Sequence, residues 1–257
     1  MERKRKRRPP PLLFRLFSLL IFVFLILGAG FYVLKLPVWN IKEVVVNGAE
    51  MLSPEEIRGL AGIPLSENLF FTQFTRAKHT LGQIPAIKSF KLYRLPPATV
   101  LINIVERKPV AALVFPSKSS IIDVDGYILN GIPNLTLNIP NMEEIPVISG
   151  IDEKDAVKGE RINPKVAELV VDVIIKLTKF LEGSRIQLDL GNFENITILL
   201  DDLLRVKLGD AGQVKKKMQV FSALLPVVDG KWGEVEYIDI KVPDFPVIKY
   251  RKQDKNI

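Results

Sequence analysis

Residues 87–111 read IKSFKLYRLPPATVLINIVERKPVA. From Ile87 to Arg94, Phe90 and Leu92 fall on one face. From Thr99 to Arg107, Val100, Ile102 and Ile104 line one face, with Leu101 and Val105 on the other. Period-two alternation of this kind predicts two half-buried strands. Leu95-Pro96-Pro97-Ala98 joins them, and its prolines, which cannot donate to a ladder, suit a connection. After Glu106-Arg107-Lys108-Pro109 the pattern shortens to Ala111–Phe115, Ser119–Asp123 and, past an Asp125-Gly126 turn, Tyr127–Leu129. A boundary between two folded units is therefore expected after residue 107.

Upstream, Trp39-Asn-Ile41-Lys-Glu-Val44-Val45-Val46-Asn47-Gly48 predicts a β-branched strand closed by an Asn-Gly turn. Ser53-Pro54-Glu55-Glu56 predicts a helix start, with Ser53 as cap, Pro54 at the first position and Glu56 completing a capping box. Ile57, Leu60 and Ala61 share a face before Gly62. A second helix is predicted from Thr75 through Leu81, stopped at Gly82 with Pro85 beyond. Residues 38–107 thus run strand, helix, helix, strand, strand.

Further upstream, Leu16 to Leu34 is uncharged and dominated by Leu, Ile, Phe and Val, flanked by Arg15 and Lys35. At 1.5 Å per residue it can cross the roughly 30 Å hydrocarbon of a bilayer. A cleaved signal peptide would have a shorter apolar core ending at a small-x-small site. Here Gly28-Ala29-Gly30 is followed by Phe31-Tyr32-Val33-Leu34, so the run reads as a retained anchor over 16–35. Seven basic residues precede it, against three charges in 35–49, which predicts a cytoplasmic tail at 1–15 and an exported remainder. Tyr32 and Trp39 suit the outer interface.

The net charge of +7 sits almost wholly in that tail, leaving about +1 elsewhere, so the exported part has no basic face for nucleic acid. With no cysteine, disulfides, thiolate metal sites and a Cys nucleophile are excluded. The 18 Pro and 16 Gly argue for short segments between turns rather than a helical bundle.

Downstream, 130–146 reads as a loop. A long helix is predicted over Lys165–Leu181, with Val166, Leu169, Val170, Val173, Ile174 and Leu177 at three-and-four spacing. Strands follow at Arg185–Leu190, Ile196–Leu200 and Arg205–Leu208, then a helix at Val214–Leu225 and a strand at Val235–Val242. A Pro243-Asp-Phe-Pro246 break, a short apolar run Val247–Tyr250 and a polar tail complete 243–257. The fold class is α+β: an N-terminal transmembrane helix, a β-α-α-β-β unit, then a β-rich unit (108–242) with two helices.

Taken in order, these pieces resemble the bacterial cell-division family FtsQ/DivIB. The resemblance rests on Trp39-x-Ile41-x-x-Val44-x-Val46-x-Gly48 and on Pro85-x-Ile87 leading through Tyr93-Arg94-Leu95-Pro96 to Val105-Glu106-Arg107-Lys108-Pro109-Val110-Ala111. Ile122-Asp123-Val124-Asp125-Gly126, Pro146-Val-Ile148-Ser-Gly150, Val206-Lys-Leu208-Gly209 and Tyr237-Ile238-Asp239-Ile240 continue it. One departure is Ser66-Glu67-Asn68-Leu69-Phe70, which lacks the family's turn glycine. The resemblance implies a POTRA domain at 38–107, a family β domain at 108–242, and a non-enzymatic scaffold at the septum, single-pass in the cytoplasmic membrane. It also implies partners: an FtsB- or DivIC-like coiled-coil protein, which pairs with an FtsL-like one, and other divisome components at the POTRA unit.

The residues offer little chemistry. His79, the one histidine, sits beside Lys78 on a short helix, so no triad or histidine metal site can form. Asp123-Val-Asp125-Gly126 lacks the fifth- and twelfth-position ligands of a calcium loop and reads as a turn, as does Asp201-Asp202. Lys215-Lys216-Lys217 reads as a solvated helix face. Asn134-Leu-Thr136 and Asn195-Ile-Thr197 carry no meaning in a bacterial protein of this architecture. No cofactor or metal is expected. What remains is a strand edge, whose unpaired backbone groups another chain can complete. By position, the resemblance places partner contacts at Tyr237, Ile238, Asp239, Ile240 and Lys241, with Phe245, Val247 and Tyr250 as apolar anchors. From the residues alone, Ile238 and Ile240 could equally be core. Two other classes stay open: a POTRA-bearing translocation or outer-membrane assembly component, and a membrane-anchored cell-wall enzyme.

Overall fold

The computed structural model describes residues 12–131, 136–181 and 183–251. The basic run ahead of Leu12, Asn134 and the polar end at 252–257 lie outside the described residues. The apolar segment forms α1 (Leu12–Leu34). Leu13–Leu34 is long and apolar enough to cross a membrane, and none of it is buried against the rest of the chain. The helix starts earlier than expected, so Arg15 lies inside it.

The first unit contains β1 (Glu43–Asn47), α2 (Pro54–Ala61), α3 (Thr75–Gly82), β2 (Ile87–Leu95) and β3 (Thr99–Glu106). Its sheet has the order β1-β3-β2, with β1 parallel and β2 antiparallel to β3. The inward residues of the alternation, Val44, Val100, Ile102 and Ile104, meet Ile57, Ala61 and Leu81 of the helices in one core. The opposite sheet face leaves Val45, Tyr93 and Val105 exposed. Ser53 takes the cap position, but the expected capping box does not form: its hydroxyl bonds the Glu55 carboxylate. Ser66 occupies the left-handed region at φ 70°, the conformation that the missing glycine would favour.

The second unit contains β4 (Pro109–Val114), β5 (Ser119–Asp123), β6 (Val147–Ser149), α4 (Glu153–Ala156), β7 (Val157–Lys158), β8 (Arg161–Ile162), α5 (Pro164–Leu169) and α6 (Ile175–Phe180). After these come β9 (Ile186–Asp189), β10 (Ile196–Leu200), β11 (Leu204–Gly209), α7 (Val214–Val228), β12 (Val235–Asp239) and β13 (Val247–Tyr250). Eight strands form one sheet in the order β13-β12-β11-β10-β9-β6-β4-β5. One face is covered by α5, α6 and α7, where Val166, Leu169, Leu177, Met218 and Phe221 join Ile198, Val206 and Ile238 in a common core. Thr197, Arg205, Lys207 and Tyr237 stand on the other face.

Three sequence expectations need correction. The helix predicted over 165–181 runs through a π segment, Val170–Ile174, which joins α5 to α6. Tyr127–Leu129 is no strand; it pairs only at isolated bridges, Ile122 with Ile128 and Tyr127 with Arg161. Lys217 is not solvated. It is 2% exposed, and its Nζ donates to the carbonyl of Asp210 (3.0 Å) and to its carboxylate (2.8 Å), which hold the ammonium where it is buried.

Two adjacent residues at the end of β3 tie the units together. The Glu106 carboxylate accepts the backbone N–H groups of Glu50, Met51 and Leu52 at 3.1, 2.8 and 2.9 Å, fixing the approach to α2. Arg107 points into the second unit. It bonds Asp123 at 2.7 Å, lies 3.6 Å from Asp125, and stacks on the Tyr127 ring at 3.6 Å. Asp123 also accepts the Tyr127 N–H, so this aspartate is a buried anchor as well as a turn residue. Ile121 and Leu129, beyond the expected boundary, pack into the core of the first unit. Arg107 and Asp123 are 13% and 4% exposed, so removing one strands the other's charge. Arg107→Met should therefore cost about 3 kcal/mol in urea unfolding. Adding Asp123→Asn should recover a substantial part of that loss; strictly additive costs would show that the pair does not act as a unit.

Candidate partner-binding edge

The far end of the eight-stranded sheet is built from β11, β12 and β13. β12 is paired on both sides: parallel to β11 through Val206–Ile238 and Lys207–Asp239, and antiparallel to β13 through Tyr237–Lys249, Ile238–Ile248 and Asp239–Val247. The expected edge is therefore covered by the chain itself over Tyr237–Asp239, and the sheet ends one strand later, at β13. Among the described residues no strand lies beyond it. The sequence hid this because Pro243 and Pro246 look like a terminator. They instead form the turn that reverses the chain, closed by Phe245 N–H donating to the Val242 carbonyl and held to α7 by Lys216 and Asp244 at 2.7 Å.

Ile238 and Ile240 are completely buried, so their side chains are core. Lys241 lies two residues beyond Asp239, whose carboxylate accepts its N–H at 3.0 Å. Tyr237 and Asp239 are half-buried on the helix-free face. The Tyr237 ring lies between two ammonium groups, Lys207 at 3.6 Å and Lys249 at 5.3 Å. Phe245, Val247 and Tyr250 are exposed at 78%, 53% and 47%, and Val242, absent from the sequence expectation, joins them at 55%. The structure thus brings the three apolar anchors to the outer edge and withdraws Ile238 and Ile240 from it.

Side chains hold β13 only lightly. Ile248 alone packs on the core from this strand. Lys249 pairs with Glu236 at 3.0 Å, and Arg251 Nε donates to the Val235 carbonyl at 3.3 Å. Among the described residues, no group of three His, Cys, Asp or Glu comes together that could hold a metal.

Residues 39–107 match the POTRA domain, FtsQ-type, and residues 112–241 match the cell division protein FtsQ/DivIB, C-terminal domain. The second match alone covers half of the chain. The chain belongs to the FtsQ/DivIB family. It is similar to the cell division protein FtsQ of Corynebacterium glutamicum, 27% identical over 152 residues, which are 55% of this chain and 68% of that one. Cell division protein FtsQ of Mycobacterium leprae is 24% identical over 91% of this chain, which spans 63% of that longer relative. Cell division protein DivIB of Clostridium botulinum is 24% identical over 90% of each chain. The FtsQ/DivIB match ends at Lys241, so β13 and the turn before it lie outside the matched residues.

The Glu236 carboxylate raises the Lys249 pKa above the usual lysine value of 10.5, by a hydrogen bond first and by charge second. A raised folded value means that this pair supports β13 fully below the unfolded lysine range and stops doing so as pH climbs through the folded value. Glu236→Gln should bring Lys249 back toward the ordinary range in an NMR titration of its Cε, and hydrogen exchange of the β13 amides should speed up. An unchanged Lys249 titration would show that the ion pair does not hold this strand.

Proposed function

We propose that this FtsQ/DivIB protein is a non-enzymatic, single-pass scaffold of the divisome. On this reading residues 1–15 are cytoplasmic and 16–35 cross the cytoplasmic membrane. The POTRA domain (38–107), the family β domain (108–242) and the segment 243–257, whose β13 completes the sheet of the β domain, lie outside, at the division septum. The β domain binds an FtsB- or DivIC-like coiled-coil partner with its FtsL-like companion, linking early and late division proteins and supporting septal peptidoglycan synthesis. The POTRA unit contacts other divisome components.

The observation that carries this reading is the outer side of β13: a strand edge with no neighbour among the described residues, flanked by exposed Val242, Phe245, Val247 and Tyr250. An extended segment can add there through backbone hydrogen bonds while its side chains use the apolar rim. Tyr237, Asp239 and Lys241 then contribute from the adjoining face, while Ile238 and Ile240 support the sheet from beneath. Neither the translocation component nor the cell-wall enzyme gains an observation of this kind.

The test is a titration of the full chain in nanodiscs with the extracytoplasmic segment of the partner. Replacing both Phe245 and Tyr250 with Ala, which leaves the core untouched, should weaken binding about tenfold or more. Ending the chain after Val242 separates two modes: binding is lost if β13 supplies the edge, and tightens if the partner takes β13's place beside β12. Unaltered affinity in both variants would move the site elsewhere.

A further inference from the structure

The junction between α1 and the first folded unit is not a free linker. The chain leaves α1 at Leu34 and turns through a short 3-10 helix, Pro37–Trp39. The Trp39 indole N–H donates back to the carbonyl of Val33 at 2.8 Å, and the Asn68 amide donates to the carbonyl of Leu34 at 2.8 Å. The Leu34 carbonyl, at the end of α1, is thus satisfied by a side chain of the folded unit, and the Val33 carbonyl, which also accepts the Leu36 N–H, gains a second donor. Backbone bonds from Leu69 N–H to the Trp39 carbonyl and from Ile41 N–H to the Glu67 carbonyl pin the turn at 66–71 to the same place.

The aromatic side chains there sit at the level of the helix end. Phe71 meets Phe31 edge-on at 5.9 Å between ring centres, Phe70 meets Trp39 at 5.3 Å, and Lys35 Nζ lies 4.5 Å above the Phe31 ring. Phe31 is three residues inside the helix end, about 4.5 Å along its axis. The uncharged part of α1, Leu16–Leu34, is about 29 Å long, close to the hydrocarbon thickness, so Phe31 lies near the hydrocarbon boundary. Phe71 must then lie there too. It is 49% exposed, as is Val38 at 50%, although both belong to a folded unit with a well-filled core.

We propose that the Asn68–Phe71 turn, together with Val38, is seated in the lipid interface from which α1 emerges, so that the first folded unit rests on the bilayer in a fixed orientation. The inference depends on the reading of α1 as a membrane span. The occupant is lipid because the turn continues a surface that already faces acyl chains. Phe71 and Val38 supply the apolar contact, Trp39 the aromatic ring suited to the headgroup level, and Lys35 a cation that reaches outward.

The lack of native cysteine makes a direct test simple. Single substitutions Phe71→Cys, Val38→Cys, Phe22→Cys and Val247→Cys would each be nitroxide-labelled in the full chain, reconstituted in phosphatidylethanolamine–phosphatidylglycerol vesicles. Collision rates with oxygen and with a water-soluble nickel chelate would then be compared. The label at Phe22, mid-helix, should show the highest oxygen-to-nickel ratio and the label at Val247 an aqueous one. Labels at Phe71 and Val38 should fall between, several-fold above Val247; Val38 reports with Phe71 intact, in case the Phe71 substitution disturbs the turn. Aqueous ratios at both positions, with Phe22 deep, overturn the proposal and leave the span standing. Shielding of both from oxygen and nickel alike also overturns it, since protein rather than lipid then covers the turn. An aqueous ratio at Phe22 removes the span and the proposal together.

Discussion

Glu106 and Arg107 are neighbours in sequence, yet their side chains serve different folded units. Glu106 gathers three backbone amides of the POTRA unit, and Arg107 is locked between a buried aspartate and a tyrosine ring of the β domain. This is a consequence of extended geometry: successive residues project to opposite sides, so the last residue of β3 and the one after it can reach both ways. The carboxylate and one guanidinium nitrogen are each bonded to groups on rigid segments, which fixes the angle at which the chain passes from one unit to the next. Everything further along inherits its position relative to the POTRA unit from this junction. Packing reinforces it, because Ile121 and Leu129 leave the β domain and complete the POTRA core.

From that junction the sheet extends in one direction. The helix layer on one face gives the strands a buried, mainly apolar set of side chains, and the other face carries polar and basic groups with Tyr237 among them. The strands nearest the POTRA unit are held by inter-unit contacts. β13, at the opposite end, is held by one core side chain, one exposed ion pair and backbone bonds. Backbone pairing with little side-chain burial is characteristic of an element that opens before its neighbours do. The family match stops at Lys241, just before this element, so the part of the β domain nearest the proposed partner is also the part least constrained by family pattern.

Most of the POTRA unit was legible because each element announces itself by period. Val100, Ile102 and Ile104 alternate, and Ile57 and Ala61 repeat at helical spacing, and all five are in the core. The failures share a cause: each concerns a pairing that local pattern does not encode. Lys217 looked solvated because its neighbours are lysines, and only the fold brings Asp210 to it. Tyr127–Leu129 has strand-like residues, but its partners allow isolated bridges only. β13 is four residues long and follows two prolines, so nothing in its own composition reveals that β12 lies beside it. For the candidate edge, the sequence pointed to the end of the sheet that β13 closes but not to the last strand, and Val242 was missed because its exposure depends on how the turn is folded.

The opposite margin of the sheet, β5, is not open. Residues 127–130 lie along it: Leu129 N–H donates to the Ile121 carbonyl, and the Asn130 side chain bonds both Ile121 N–H and the Ser119 carbonyl. Among the described residues, only the β13 margin of this sheet can therefore accept another strand, which limits the pairing this sheet supports to one side. A sheet capped at one side cannot stack copies head to tail into a filament; strand pairing through β13 ends either in a complex with one added strand or in a closed two-fold pair.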